Sequence, residues 1–216
     1  MTTGVEARSG ACPTELHSLA PHHQWAGCGY SLVEVMFTLT LGVVVGAIAV
    51  PQVLANVDDT RASGAVHYLT TKLNQARMEA VARSRDVGLQ FVAVGGAYSY
   101  TVYSDGNADG IRTRDIQSGS DARIAAPEHL PDRFTGVDFG VLPGLPAVDS
   151  SSTPPGSDPI KLGSSNILTF TALGTSSTGS LYVRSRGGAQ WVIRVTGETG
   201  KVRVLKYDPR LRQWKP

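Results

Sequence analysis

A run of oxygen-bearing side chains between residues 105 and 110 has the spacing of a metal-binding loop. The segment reads DGNADG and places Asp105, Asn107 and Asp109 at alternate positions, which matches the first half of a calcium loop. The twelfth position is Ile116, however, where a calcium loop needs a bidentate Glu. Since Asp, Asn and Gly are also the usual residues of a tight turn, the segment is either a calcium site with an incomplete ligand set or an ordinary turn.

Residues for catalysis are sparse in this chain. Both cysteines lie within the first 28 residues, and only His67 and His129 follow them as imidazole donors. His67 falls within a helical pattern and His129 lies between prolines, so nothing in the sequence brings the two together. There is no nucleophile elbow and no cluster with metal-ligand spacing. We therefore expect no catalytic residue and no cofactor, and we expect that the chain is not an enzyme.

A single carboxylate, Glu34, interrupts the start of a long apolar run. Residues 30–50 read YSLVEVMFTLTLGVVVGAIAV, and about 20 such residues are enough to span a bilayer. The run is too long for the apolar part of a secretory signal peptide, and no A-x-A cleavage site follows it. A charge inside a membrane helix is costly and is usually functional. The run therefore predicts a transmembrane helix with a functional carboxylate, and the alternative is a plain anchor whose Glu34 lies at headgroup level.

The residues around this start resemble the recognition site of prepilin peptidase. The stretch GYSLVE places a glycine before the cut, an aromatic residue after it and a Glu at the fifth mature position. The resemblance implies cleavage between Gly29 and Tyr30, methylation of the new Tyr30 amine, and pairing of Glu34 with the amine of a neighbouring subunit. Pro51 falls where many of these helices carry a kinking proline. Two departures are Tyr30 in place of the usual Phe, and a leader of 29 residues without Lys or Arg beside the cut.

The apolar run continues into an amphipathic helix. We expect one helix from about residue 31 to residue 85, kinked near Pro51, with a transmembrane and assembly part (30–51) and an amphipathic continuation (52–86). In the continuation, apolar residues recur at steps of three and four, which is the period of a helix with one buried face. These residues are Ala62, Ala65, Val66, Leu69, Leu73, Ala76, Ala80 and Val81.

The period changes to two after residue 86, which indicates strands. We expect a periplasmic β-rich domain at 87–207, with a surface loop at 145–165 where Ser, Pro, Gly and Asp are frequent, and a basic tail at 208–216. Gly95 and Gly96 are typical of a hairpin turn. The predicted strands are Val87–Val94, Ala97–Tyr103, Arg133–Leu142, Asn166–Ala172, Ser180–Arg186, Gln190–Thr196 and Lys201–Tyr207.

Four short motifs in this domain resemble the ending of the GspH/FimT family. They read FTALG at 170–174, GSLYV at 179–183, WVIRV at 191–195 and GKVR at 200–203. Members of this family are minor pseudopilins of type II secretion and minor pilins of type IV pili. The resemblance implies a pilin-like α+β fold, in which the long N-terminal helix packs on antiparallel sheets, and a role at low copy number.

The end of the chain is basic although the whole chain has a net charge of only +2. From residue 184 onward there are nine Lys or Arg residues against two acidic ones. Some FimT-like pilins bind DNA through a Gly-Arg-x-Arg motif near this point, where this chain has Lys201 and Arg203 after a glycine. Lys201, Arg203, Arg210 and Arg212 are therefore candidate DNA contacts. The alternative is a half-exposed strand, in which charged residues alternate with valines.

The sequence is best interpreted as a minor pseudopilin, a structural subunit of the periplasmic pseudopilus of a type II secretion system. The alternative is a FimT-like minor type IV pilin in pilus assembly or DNA uptake. Either protein would lose residues 1–29 to prepilin peptidase, cross the bacterial inner membrane once and place its C-terminal domain in the periplasm. Its partners would be the other pseudopilins or pilins of the filament, and DNA only in the alternative.

Overall fold

A computed structural model describes residues 30–216, apart from the side chains of Pro51, Leu54 and Ala55. The chain divides into two compact units, one ending at Val45 and one beginning at Gly46. The first element is helix α1, which runs from Leu32 to Arg83. The helix is continuous through Pro51, and a kink there stays a prediction.

The first part of α1 is apolar and unburied. Its 19 residues from Leu32 to Val50 are long and apolar enough to cross a membrane, and none of them is buried. We call residues 32–50 the stem, and their length and composition are compatible with one membrane crossing.

The later part of α1 has the predicted buried stripe. Seven of the eight predicted residues are buried, and their spacing follows the period of the helix. The eighth, Val81, is 49% exposed. It lies about 100° around the helix from Ala80, beyond the edge of the stripe, so its predicted place in the core is wrong. The buried residues are Ala62, Ala65, Val66, Leu69, Leu73, Ala76 and Ala80.

The rest of the domain consists of short antiparallel strands and two short helices. In chain order they are β1 (Val87–Val94), β2 (Ala97–Ser104), α2 (Thr113–Ser118), β3 (Ala122–Arg123), β4 (Glu128–His129), α3 (Leu130–Arg133), β5 (Val137–Phe139), β6 (Ile160–Lys161), β7 (Ile167–Phe170), β8 (Gly179–Ser185), β9 (Gln190–Thr196), β10 (Lys201–Asp208) and β11 (Gln213–Lys215).

The strands form two sheets. Sheet 1 has the order β3-β2-β1-β7, with β4 also paired to β2. Sheet 2 has the order β11-β10-β9-β8-β5, with β6 also paired to β8. The β1–β2 hairpin turns at Gly95 and Gly96 and pairs Val94 with Ala97, as predicted. The α+β architecture, a long helix with antiparallel sheets, is confirmed.

Three regions differ from the sequence prediction. A strand was predicted at 133–142, but only its central part, β5, is extended. Before it, Pro131 lies in the first turn of α3 and favours a helix. The predicted loop at 145–165 contains β6, whose Ile160 is fully buried. The last residues are not only a tail, because β11 pairs with β10 and adds an edge strand to sheet 2.

The main core joins the buried stripe of α1 to both sheets. Phe91 and Tyr100 of sheet 1 and Leu181 and Ile193 of sheet 2 belong to the same buried cluster as the helix residues. Because side chains alternate along a strand, the residues of sheet 2 next to these core residues point to the opposite side of the sheet. We call this side the outer face. A second, smaller core lies there, formed by Leu145, Tyr182, Val192 and Leu205.

Candidate functional site

The apolar stem begins with a helix cap that includes Glu34. The Ser31 carbonyl accepts the Val35 N–H at 3.1 Å, and the Ser31 hydroxyl oxygen accepts the Glu34 N–H at 3.3 Å. Ser31 therefore caps the helix, and Glu34 is at the third helical position, as in a Ser-x-x-Glu capping box. A carboxylate here also lies at the positive end of the helix dipole. This role was not predicted, although the Ser-x-x-Glu spacing is a local signal for it.

No basic side chain accompanies Glu34 in its part of the sequence. Between Tyr30 and Thr60 there is no Lys, Arg or His. The stem itself therefore supplies no cation for this carboxylate. Tyr30 is 79% exposed. Gly29 lies outside the described residues, so cleavage after it and methylation of Tyr30 stay predictions.

The loop at 105–110 uses its carboxylates to bind its own backbone. Asp105 is buried, and its two oxygens accept the N–H groups of Asn107, Ala108 and Gly110 at 3.0, 2.8 and 2.9 Å. Asp109 is bound by Arg112 at 2.7 Å, and Arg114 is a second partner. These bonds explain the residue types of the loop as an internally capped turn. Among residues 30–216, no group of three or more acidic, His or Cys side chains has the arrangement of a metal site.

The four candidate DNA contacts are exposed. Lys201 and Arg203 project from β10 on the side opposite to Val202 and Val204, which pack on the main core. Arg210 and Arg212 lie in the turn between β10 and β11 and are also exposed. Within the described part of the chain, none of these four cations takes part in an ion pair. The alternation is that of a half-exposed strand, and it leaves the charges accessible.

The glycine of the GKVR motif has a structural role. Gly200 has a positive φ of 60° and is buried against the turn that follows β7. A β-carbon at this position would collide with the carbonyl oxygen of Gly174. The same carbonyl accepts a hydrogen bond from Arg77 of α1 at 2.9 Å. Two of the four family motifs, FTALG and GKVR, therefore meet at one contact with the helix.

A polar cluster around Glu128 was not predicted. The hydroxyl groups of Tyr68 and Tyr100 donate to one carboxylate oxygen at 2.5 and 2.8 Å, and Lys72 donates to the other at 2.9 Å. Arg133 lies 3.6 Å from the carboxylate. Tyr68 and Glu128 are 60 positions apart in sequence, so local patterns contain no signal for the cluster. It ties α1 to strands β2 and β4.

The cluster holds Glu128 in its charged form. Burial raises the pKa of Glu128, but the hydrogen bonds from Tyr68, Lys72 and Tyr100 outweigh burial and hold its pKa at about 2. The hydrogen bond to Glu128 is the main cause that raises the pKa of Lys72. Burial, and then the same carboxylate, raise the pKa of Tyr100. The cluster is a structural ion pair with two phenol donors.

One family model and two solved structures are similar to this chain. The family model described as type II transport protein GspH matches residues 65–200. Two solved structures of the minor pseudopilin EpsH from the type II secretion system of Vibrio cholerae are similar to the chain, at 14% and 15% identity and TM-scores of 0.42 and 0.40. The alignments cover 68% and 67% of this chain and 97% and 93% of those chains. A search of curated protein sequences finds no match.

The family match covers more than half of the chain, from the middle of α1 to the turn before β10. It includes three of the four motifs in full and the first residue of the fourth. The chain belongs to the GspH family of type II transport proteins.

Proposed function

We propose that this chain is a minor pseudopilin, a structural subunit of the periplasmic pseudopilus of a type II secretion system. The observation that carries the proposal is the helix α1. Its first 19 residues are apolar and unburied, and its later turns form the core of the domain that matches the GspH family. A stem and a family domain on one continuous helix are what a filament subunit needs.

In this proposal the stem has two successive environments. Before assembly, lipid covers the apolar surface of residues 32–50, and the chain crosses the inner membrane once with its C-terminal domain in the periplasm. In the filament, neighbouring stems replace the lipid. Lipid tails and apolar side chains are similar solvents for such a helix, so moving it from one to the other exposes little apolar surface to water.

Processing makes the stem competent for assembly. Prepilin peptidase would remove residues 1–29 and free the amine of Tyr30, which is then methylated. The Glu34 carboxylate has no basic residue in its own stem. In an assembled filament it would pair with the amine of a neighbouring subunit, and two charges that are each costly in an apolar environment become tolerable together. This pairing favours one axial register of the stems.

A secretion assay separates the proposed function from a pilus function. We expect deletion of the gene in its host to leave type II substrates in the periplasm, and expression of the full chain to restore their release into the medium. Natural transformation and twitching serve as parallel readouts. Normal secretion combined with loss of either pilus readout would contradict the proposal and favour the alternative.

The exposed cations of sheet 2 support a second candidate function, a FimT-like minor pilin that contacts DNA. Lys201 and Arg203 alternate with core valines and are free of ion pairs among residues 30–216. If these two and Arg210 and Arg212 all bind duplex phosphates, log affinity falls with log salt at a slope of roughly −3.6.

The DNA contact is tested by titrating the full chain in nonionic detergent with labelled duplex at several salt concentrations. The double variant Lys201→Ala, Arg203→Ala should make the slope shallower, with its magnitude reduced by about 1.8. Arg114→Ala is a matched control, since Arg114 is exposed but is paired with Asp109. The absence of binding even at low salt would remove DNA from the partners of this protein.

A further inference from the structure

A small recess opens on the outer face of sheet 2, beside the loop that follows β5. Its volume is about 240 Å³, and its lining is polar. Hydroxyl groups and two cations make up most of that lining. The residues are Ser151, Ser152, Thr153, Lys161, Thr178, Gly179, Ser180, Tyr182 and Arg194.

Arg194 is the buried cation of this recess. It is 7% exposed, and its guanidinium donates to the Asp149 carboxylate at 3.1 and 3.5 Å. It also donates to the hydroxyl oxygens of Ser180 and Ser151, both at 3.2 Å. A guanidinium has five N–H groups, so one of them remains without an acceptor in the described part of the chain.

Tyr182 brings an unused hydroxyl group to the same place. The residue is fully buried, and its phenol oxygen has no hydrogen-bond partner among residues 30–216. Tyr182, Ser180 and Arg194 line the same recess, and burial is the main cause that raises the pKa of Tyr182. A buried hydroxyl without a partner costs free energy, and a ligand that accepts its proton would remove that cost.

The recess has more donors than acceptors. The oxygens of Ser180 and Thr178 already accept bonds from Arg194 and from the Gly197 N–H, so their hydroxyl protons are available. Among residues 30–216, the one salt bridge of Lys161 is a long pair with Asp158, at 3.5 Å. A ligand without hydrogens to donate fits this arrangement, and a tetrahedral oxyanion offers up to four acceptor oxygens.

We propose that the recess between Tyr182, Ser180 and Arg194 is a binding site for a small oxyanion of the phosphate or sulfate class. The proposal is independent of the proposed secretion function. Asp149 is the internal competitor, since its carboxylate occupies part of the guanidinium that the oxyanion would use. Because Asp149 and Asp158 balance the two cations, binding rests on directed hydrogen bonds, and we expect affinity in the millimolar range.

The test is a calorimetric titration of the full chain, in maltoside detergent at constant ionic strength, with inorganic phosphate and separately with sulfate. We expect saturable binding of at least one of them and a concentration-dependent rise in melting temperature. Tyr182→Phe should weaken binding by about three- to tenfold, the usual effect of one lost hydrogen bond. Without anion it should be as stable as the native chain or more so, because it removes a buried group that has no partner.

A second variant changes affinity in the opposite direction. Asp149→Asn frees part of Arg194 and removes a negative charge, so phosphate should bind several-fold more tightly. Tyr207→Phe is the matched control, since Tyr207 lies on the outer face outside the recess, and its affinity should equal that of the native chain. No binding at tens of millimolar anion, or binding that Tyr182→Phe leaves unchanged, would overturn the assignment.

Discussion

Glu34 lies in the cap of helix α1 and is also the proposed partner of a neighbouring amine. Its backbone N–H is held by the Ser31 hydroxyl at 3.3 Å, and its charge lies in the first turn of a helix. Both features stabilise a helix start. The second role is the proposed pairing with a neighbouring amine, for which its own stem supplies no cation.

Two substitutions separate these roles. Glu34→Gln keeps the polar group of a capping box, which tolerates Gln at this position, but removes the charge. We expect Glu34→Gln and Glu34→Ala to insert and to be cleaved normally, because each removes an insertion cost of up to about 3 kcal/mol. Both should be lost from filaments, measured as co-purification with partner subunits. Normal incorporation of the Gln variant with loss of the Ala variant would contradict the pairing role and leave only the cap.

The Glu128 cluster predicts how stability depends on pH. The folded pKa of about 2 lies below the ordinary value of 4.5, so folding favours the charged form. The stabilisation is complete above pH 4.5 and is lost as the pH falls towards 2. It amounts to at most about 3 kcal/mol, and less once solvent screening of this partly exposed group is included.

Denaturation of the purified chain between pH 7 and pH 2 measures this effect. Glu128→Gln should lower stability at pH 7 and flatten the decline between pH 4.5 and pH 2. Asp132→Asn is a suitable control, since Asp132 is an exposed carboxylate on the neighbouring helix α3. An equally steep acid transition in the Gln variant would show that other carboxylates cause the decline.

At the scale of elements, local sequence patterns predict the structure correctly where apolar residues repeat with one clear period. The helical stripe of α1 and the β1–β2 hairpin followed from spacing and from two glycines. Prediction was wrong at β5 and β11, the two strands that end the order of sheet 2. At β5 the flanking Pro131 and Gly136 shorten the strand. At β11 a short polar segment becomes a strand because Trp214 has an apolar surface to cover.

Trp214 links β11 to the smaller core of sheet 2. Its ring lies 5.3 Å from the Tyr207 ring and 6.0 Å from the Tyr182 ring, measured between centroids. Its indole N–H donates to the Pro146 carbonyl at 3.1 Å, which also fixes the start of the long loop. The edge strand and the loop therefore share one anchor.

Trp214→Ala should lower the free energy of unfolding by about 1–3 kcal/mol, less than for a fully buried Trp, because the residue is half-buried. Trp214→Phe keeps the ring contacts but loses the hydrogen bond, so its loss should be smaller. Leu211→Ala is the control, since Leu211 is 56% exposed. Chemical denaturation followed by circular dichroism measures all three, and equal losses for Trp214→Ala and Leu211→Ala would contradict the anchor.

For the whole molecule, the fold class and the family were predictable, and the interior polar sites were not. The family and fold class are indicated by local signals that one sequence is enough to show. These signals are a cut-site motif, a long apolar run and four short motifs. The Glu128 cluster joins residues 56 and 60 positions apart, and the recess joins Arg194 to a loop 45 positions away. Such contacts arise only from the packing of sheets and helix, so no pattern in the sequence marks them.

The central claim is that the chain is a processed filament subunit whose stem begins at Tyr30. Mass spectrometry of the intact protein, extracted from membranes with and without active prepilin peptidase, tests this claim most directly. With the peptidase we predict a mature chain that begins at Tyr30 and carries an N-methyl group, and without it the uncut precursor. A mature start at any other residue, or an intact precursor in the presence of the active peptidase, would contradict the account.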